Sequence, residues 1–343
     1  MERKALTGVL LVQLGTPDSP EVDDVRAYLK EFLSDPRVLD MPAPVRWALL
    51  RTVILPFRPK RSGHAYSQIW TDDGSPLTLH TLELARNVSE RLGDGHVVEV
   101  GMRYRNPSIE SAVARLAAAG AERLIAVPMF PQYSSAATGS AIQEVLDVVG
   151  SAWNVPALSV VGDFYDDAGF ITAAADVARP ALDEFRPDHV LFSYHGLPEK
   201  QVKKSDLTGS WCLTRADCCD RIMDSNRFCY RAQCYATTRA LAAALDLADD
   251  AHSTAFQSRL AGQKWIRPFT DKVLPELHAR GMRRLAVLTP SFTADCLETL
   301  EEIGIRGRTQ WAELGGDDLL LVPCVNASPG WSDAVARMVV EAG

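Results

Sequence analysis

The sequence predicts an α/β protein made of two similar doubly wound halves, each with a parallel sheet of four or more strands. Three observations carry that expectation. Short apolar runs with β-branched content alternate with amphipathic helical stretches along the chain. The runs are apolar on both faces, as strands covered by helices on both sides must be. A helix-then-strand unit at 115–127 is echoed at 274–288, and each strand ends on a proline-containing pair. At 343 residues the chain also exceeds the usual size of one domain.

In chain order, strands are expected at 8–13, 96–101, 123–128, 157–162, 189–193 and 284–289. Residues 41–61 break the alternation: Trp47, Leu49, Leu50, Val53, Ile54, Leu55 and Phe57 lie among prolines and precede Arg58, Lys60 and Arg61. They read either as buried helical turns or as an apolar lip over a cleft or membrane. After a helix at 141–152, Pro156 and a new strand place the boundary near 155, giving domains at 1–155 and 156–320. Residues 210–234 are too polar and irregular for a strand, and a final helix at 332–341, within a tail of 321–343, could return to either half.

The balance of 44 acidic against 36 basic residues, a formal charge of −8, argues against non-specific nucleic-acid binding. No apolar run reaches the roughly 18 residues that span a bilayer. The start, Met1-Glu2-Arg3-Lys4, leads to no cleavage pattern, so a cytoplasmic protein is expected. Five of the seven cysteines crowd between Cys212 and Cys234; with an odd total and no secretory signal, metal binding explains them better than disulfides.

Open α/β sheets carry their sites just beyond the carboxyl ends of the strands. His195 sits there, in Ser193-Tyr194-His195-Gly196-Leu197-Pro198, and an imidazole can accept a proton at physiological pH. After the 284–289 strand, Ser291 or Thr293 can cap a helix on which Asp295, Glu298 and Glu302 are spaced i, i+3, i+7 as one acidic stripe. A solvated helix face is the plain alternative; its position at a strand end favours a site. The chain has no G-x-G-x-x-G, Walker or G-x-S-x-G motif, so dinucleotide, P-loop and serine hydrolase chemistry lack their parts.

Several motifs in order resemble the ferrochelatase family: 10–17 (LLVQLGTP), 24–33 (DVRAYLKEFL), 74–77 (GSPL), 130–140 (FPQYSSAATGS), 193–198 (SYHGLP), 255–258 (AFQS), 292–300 and Pro323-Cys324. The resemblance implies a chelatase-like pair of domains with a porphyrin cleft between them, and insertion of Fe2+ into protoporphyrin IX to give protohaem. It implies that His195 removes pyrrole protons, that Glu298 delivers metal or shuttles protons, and that Asp295 and Glu302 extend an acidic path. Leu14, Tyr66, Ser75, Arg103, Tyr104 and Trp265 are expected to line the porphyrin by the same likeness; independently of it, the basic trio Arg58, Lys60 and Arg61 is read as pairing propionates or anionic lipid.

Two departures qualify the likeness. Cys296 replaces the His of the D-H-x-E pattern, and Leu14 stands where coproporphyrin-using relatives tend to carry Tyr, which favours protoporphyrin. Cys212, Cys218, Cys219, Cys229 and Cys234 follow C-x5-CC-x9-C-x4-C. By the resemblance, four of the five hold a [2Fe–2S] cluster; structural zinc and free thiols remain alternatives. Other readings kept open are a chelatase for coproporphyrin, cobalt or nickel, and a non-catalytic haem or iron–sulfur sensor. A monomer or homodimer with peripheral contact at the inner membrane face completes the expectation.

Overall fold

The computed structural model describes residues 6–259 and 263–343, so the Met1-Glu2-Arg3-Lys4 start lies outside the described residues. Eight strands form two four-stranded sheets. β1 (Thr7–Gly15), β2 (His96–Tyr104), β3 (Arg123–Pro128) and β4 (Ala157–Val160) lie in the order β2-β1-β3-β4. β5 (His189–His195), β6 (His252–Gln257), β7 (Arg284–Leu288) and β8 (Asp318–Leu321) repeat it as β6-β5-β7-β8. Every pairing is parallel.

Six of the strands coincide with the apolar runs. β6 and β8 do not, for a physical reason. His252-Ser253-Thr254 open β6 with polar side chains, and β8 has four residues behind a Gly-Gly-Asp-Asp turn, so neither offers a run long enough to register. Helices cover each sheet. One core gathers Leu10, Val12, Ile109, Leu116, Leu124 and Val145, the other Leu191, Leu274, Leu277, Leu285, Val287 and Trp311. Each such side chain withdrawn from water contributes about 1.5–3 kcal/mol before entropy is charged against it.

The chain divides into two compact units. The first takes the chain up to Phe130, Ser135–Asp163 and Asn326–Gly343; the second takes Pro131–Ser134 and Phe164–Val325. The helix Pro329–Ala342 thus belongs to the first unit, where Asn87 Nδ2 donates to Ala327 O at 3.1 Å and Arg91 pairs with Asp333.

Within the first unit, residues 41–61 form the helix Ala43–Leu49, a π-helical turn Leu50–Ile54 and the helix Leu55–Ser67. The π turn precedes Pro56 and Pro59, whose missing N–H groups disturb the ordinary helical ladder. Its apolar side chains face outward: Trp47 is 61 % and Phe57 74 % exposed, with Val45 and Val53 beside them in the exposed set.

Candidate active site

His195 ends β5, a central strand of the second sheet, and its position is fixed from both sides of its own backbone. Its N–H donates to Ser291 Oγ at 3.1 Å, and its carbonyl accepts from Tyr230 Oη at 2.8 Å. Ser291 and Tyr230 are also in hydrogen-bond contact. Donor counting closes the ring: His195 N–H to Ser291, Ser291 O–H to Tyr230, Tyr230 O–H to the His195 carbonyl. Burial holds the Tyr230 phenol far above its ordinary range, so this donor keeps its proton.

The imidazole Nδ1 lies 2.6 Å from Gly196 O, a contact only an N–H can make with a carbonyl. In the neutral ring this tautomer places the lone pair on Nε2, the atom a general base would use. Phe292 packs edge-on against the ring, with centroids 6.4 Å apart. Gly196 is required for a close approach. A Cβ there would stand 2.8 Å from Gln257 O and 3.4 Å from Trp265 Cε3.

The acidic residues lie in the same unit, arranged differently from a simple helical stripe. The helix begins later than Ser291 or Thr293: a π-helix runs Leu297–Gly307, with Cys296 as its N-cap. Cys296 N–H donates to Thr299 Oγ1 at 3.0 Å while the thiol accepts from the Thr299 N–H, so a cysteine performs the capping usually given to serine or threonine. Asp295 consequently precedes the helix, where its carboxylate accepts from Thr299 Oγ1 at 3.1 Å.

Glu298 and Glu302 remain neighbours on the π-helix. Gln257 Nε2 donates to Glu298 O at 2.7 Å, tying that turn to the end of β6. Glu302 takes two bonds from Ser258, from its N–H at 2.8 Å and its Oγ at 2.5 Å. Ser258 adopts φ +65°, a left-handed conformation that costs a non-glycine residue about 1–3 kcal/mol and is held here by those two bonds. Burial pushes the Glu302 carboxyl up, opposed by Ser258, Arg306 and His195 and reinforced by Glu298. Glu302 is thus in electrostatic reach of both His195 and Glu298.

The ferrochelatase family model matches residues 6–342. The chain belongs to the ferrochelatase family. It is 48 % identical over 331 residues to a ferrochelatase of Coxiella burnetii (strain CbuK_Q154), covering 96 % of this chain and 92 % of that one. It is 45 % identical over 335 residues to a ferrochelatase of Legionella pneumophila (strain Lens), covering 97 % and 98 %. Among solved structures, the sirohydrochlorin chelatase SirB from Bacillus subtilis subspecies spizizenii, in complex with cobalt, superposes with a TM-score of 0.54 at 13 % identity, covering 98 % of this chain and 95 % of that one. That likeness shows a shared fold.

As a member of the ferrochelatase family the chain has other expected contact residues, and they fall in both units. Trp265 lies beside Gly196 in the second, buried, its indole N–H without a partner. Leu14, Tyr66, Ser75, Arg103 and Tyr104 lie in the first. Leu14 is half-buried at the end of β1, and Ser75 Oγ donates to Thr16 Oγ1 at 3.2 Å. Arg103 pairs with Asp35 at 3.0 Å and Glu144 at 3.3 Å. Tyr104 is fully buried and donates to Asp35 at 2.9 Å. Arg103 also donates to Ser140 Oγ at 2.7 Å, so both side chains are engaged with protein partners.

The cysteine segment is organised by its polar side chains. Asp206 accepts the N–H groups of Trp211 and Cys212, both at 2.7 Å, and that of Thr208 at 2.9 Å. Although desolvation opposes it, these bonds hold its carboxyl down at about 2. Asn226 Nδ2 reaches Cys218 O at 3.2 Å and Arg221 O at 2.9 Å. All five thiols are buried. Among the described residues no three His, Cys, Asp or Glu side chains are arranged to hold a metal ion. The thiols touch in pairs instead: Cys212 with Cys229, Cys219 with Cys229, and Cys218 with Cys219 at 3.7 Å.

Tyr230, Gln257 and Ser258, which bond His195, Glu298 and Glu302, are neighbours of the candidate residues that sequence reasoning does not single out. Gln257 and Ser258 were visible inside the AFQS motif. Tyr230 was hidden because only the fold brings a residue from the cysteine segment to the end of β5.

Proposed function

We propose that this ferrochelatase inserts Fe2+ into protoporphyrin IX, the terminal step of protohaem formation, with His195 as the base. The supporting observation is the tautomer imposed on His195: Nδ1–H is spent on Gly196 O, so Nε2 accepts a pyrrole proton. Two N–H protons must leave as the metal enters. Glu302, in reach of the imidazole, and its neighbour Glu298 take protons onward or replace water on the incoming iron, for which hard oxygen donors are suited. Asp295, bonded to Thr299, supports the start of that helix.

Leu14, Tyr66, Ser75 and Trp265 supply the porphyrin surface, and Arg103 and Tyr104 set its wall through Asp35. Leu14 favours the apolar vinyl edge of protoporphyrin over the extra propionates of coproporphyrin. The exposed Trp47 and Phe57, with Lys60 and Arg61 also exposed, support peripheral docking on an anionic membrane at the cytoplasmic face. No helix among the described residues is long and apolar enough to cross a membrane.

The cysteines carry a [2Fe–2S] centre in this reading, supported by donor type and number and not by their arrangement, since among the described residues no three side chains are placed to hold a metal ion. The cysteines are buried, and Arg231 Nη1 stands 3.1 Å from Cys219 Sγ, where it would offset thiolate charge. Such a centre supplies a structural or sensory element, since metal insertion transfers no electrons.

The test is metal insertion by the purified chain and by His195→Ala, with Fe2+, Co2+ and Ni2+ against protoporphyrin IX and coproporphyrin III. Fe2+ with protoporphyrin should give the highest kcat/KM, and the variant should lose it. Unchanged haem formation by His195→Ala would overturn the assignment of the base.

A further inference from the structure

Two cysteines lie outside the crowded segment, and both touch the acidic residues. Cys296, the N-cap of Leu297–Gly307, is buried, and its thiol is in hydrogen-bond contact with the Glu298 carboxylate. Cys324, just beyond β8, is buried against Asp295. Its N–H donates to Asp295 Oδ1 at 3.4 Å, and its thiol contacts the same carboxylate. Thr289 Oγ1 lies 3.7 Å from Cys324 Sγ.

A carboxylate only accepts, so in each contact the S–H is the donor. The sulfur lone pairs are filled from the other side. Cys296 Sγ takes the N–H groups of Glu298 and Thr299, and Cys324 Sγ takes the Thr289 hydroxyl. Each thiol is thereby oriented, with its proton directed at one carboxylate. Resting on the reading that Glu298 handles protons or iron and that Asp295 supports the start of its helix, we infer that Cys296 and Cys324 are positioning residues for metal insertion, holding the carboxylates of Glu298 and Asp295 through S–H donors.

The kind of donor matters. A thiol is a weak donor beside a hydroxyl or an N–H. Glu302 is fixed by the strong kind, the Ser258 N–H at 2.8 Å and its hydroxyl at 2.5 Å. Glu298, four residues earlier, is aimed by a bond that an incoming iron or proton displaces at low cost. The two glutamates therefore divide the work: Glu302 anchors the helix to Ser258, and Glu298 is the carboxylate that is given up to the metal. Cys324 acts at one remove. Together with Thr299 Oγ1 at 3.1 Å it keeps Asp295 at the head of the helix, so its loss loosens the turn that carries Glu298.

The experiment reads the S–H stretching bands of the full chain by infrared spectroscopy, alongside steady-state insertion of Fe2+ without oxygen. Each band is isolated as the difference between wild type and Cys296→Ser or Cys324→Ser. Both should lie below the position of a free thiol, and the Cys296 band should move back toward it in Glu298→Gln, whose amide accepts more weakly. Cys296→Ala should raise KM for Fe2+ about tenfold with KM for porphyrin unchanged, the low end for losing a hydrogen bond to a charged group. Cys296→Ser, which keeps both the cap and a donor, should recover most of that loss. Cys324→Val should raise the same KM about threefold, because it acts through Asp295. Partial unfolding alone lowers the active fraction and leaves both KM values in place.

Bands at the free-thiol position overturn the inference whatever the kinetics. Shifted bands, impaired insertion by Glu298→Gln and an unchanged KM for Fe2+ in Cys296→Ala overturn the positioning role alone. Shifted bands with wild-type insertion by Glu298→Gln overturn the reading of Glu298, and the positioning role with it.

Discussion

The two halves of the chain are the same scaffold carrying different chemistry. Leu10 lies opposite Ala126, three residues past Arg123; Leu191 lies opposite Val287, three residues past Arg284. Four residues further on come Leu14 and His195, each followed by glycine and, two positions later, by proline. Both glycines are needed for the same approach to the last residue of the adjacent strand: a Cβ would stand 2.0 Å from Tyr104 O at Gly15 and 2.8 Å from Gln257 O at Gly196. Both halves also enter a π-helix after the third strand, Ser135–Gly139 and Leu297–Gly307. Counted from the two arginines, Ala137 and Ala141 stand where the second half has Glu298 and Glu302. The fold supplies equivalent positions in both halves, and under the proposed function the residue placed there decides which half reacts.

The largest expected effect tests that division directly. His195→Ala should lower kcat by about 10²–10⁴-fold, the usual share of a positioned acid or base. Moving the imidazole, as Leu14→His in the His195→Ala background, should restore nothing, because Ala137 and Ala141 offer no carboxylates beside it. Recovery of haem formation by the double variant would break the comparison. Next come the glycines. Gly15→Ala meets a carbonyl at 2.0 Å in a φ of +107° and should cost about 1–3 kcal/mol, a few degrees of melting temperature. Gly196→Ala, with a looser fit, should act mainly on kcat by displacing His195.

Acid should separate the halves by sign. In the first, desolvation raises the Asp35 carboxyl but is outweighed by Ser140, the Arg37 N–H, Tyr104 and Arg103, so its net shift is downward. It contributes stability above the ordinary Asp range that is lost as pH falls through the depressed value. In the second, burial raises Glu302, so its contribution is present below the ordinary Glu range and lost as pH rises through the raised value. Melting curves from pH 3 to 7 should show Asp35→Asn flattening the acid loss and Glu302→Gln removing the opposing trend. Identical pH profiles for wild type and both variants would refute the assigned signs.

Much of this architecture is legible in the sequence because it follows from local pattern. Apolar runs such as Val190-Leu191-Phe192 mark buried parallel strands, and the placement of His195 before glycine at a strand end is legible in the same way. β6 escapes because its strand character comes from pairing with β5, which places polar His252 and Ser253 opposite Val190 and Leu191. The helix start was misplaced at Ser291 or Thr293 because those residues are ordinary caps, whereas the capping thiol of Cys296 and the wider i→i+5 turns of a π-helix have no simple residue signal. Tyr230 is invisible for another reason. Its role depends on a contact spanning 35 positions, and no local spacing encodes that.

The smallest effect concerns the connections between strands, where the halves diverge most. The crossover from β1 to β2 carries the apolar helices around Trp47 and Phe57, and the corresponding crossover from β5 to β6 carries the cysteines. One insertion turns its distinctive side chains to solvent, and the other buries them. The first should therefore serve exchange with the surroundings and the second internal order. Trp47→Ser with Phe57→Ser should weaken sedimentation with anionic vesicles and raise KM for vesicle-borne porphyrin. With detergent-dispersed porphyrin, kcat should stay within about twofold, because removing apolar contact area weakens association with the bilayer and leaves His195, Glu298 and Glu302 untouched. An equal loss of kcat in detergent would mean that the exposed face bears on the chemistry itself, and the two insertions would then share a role.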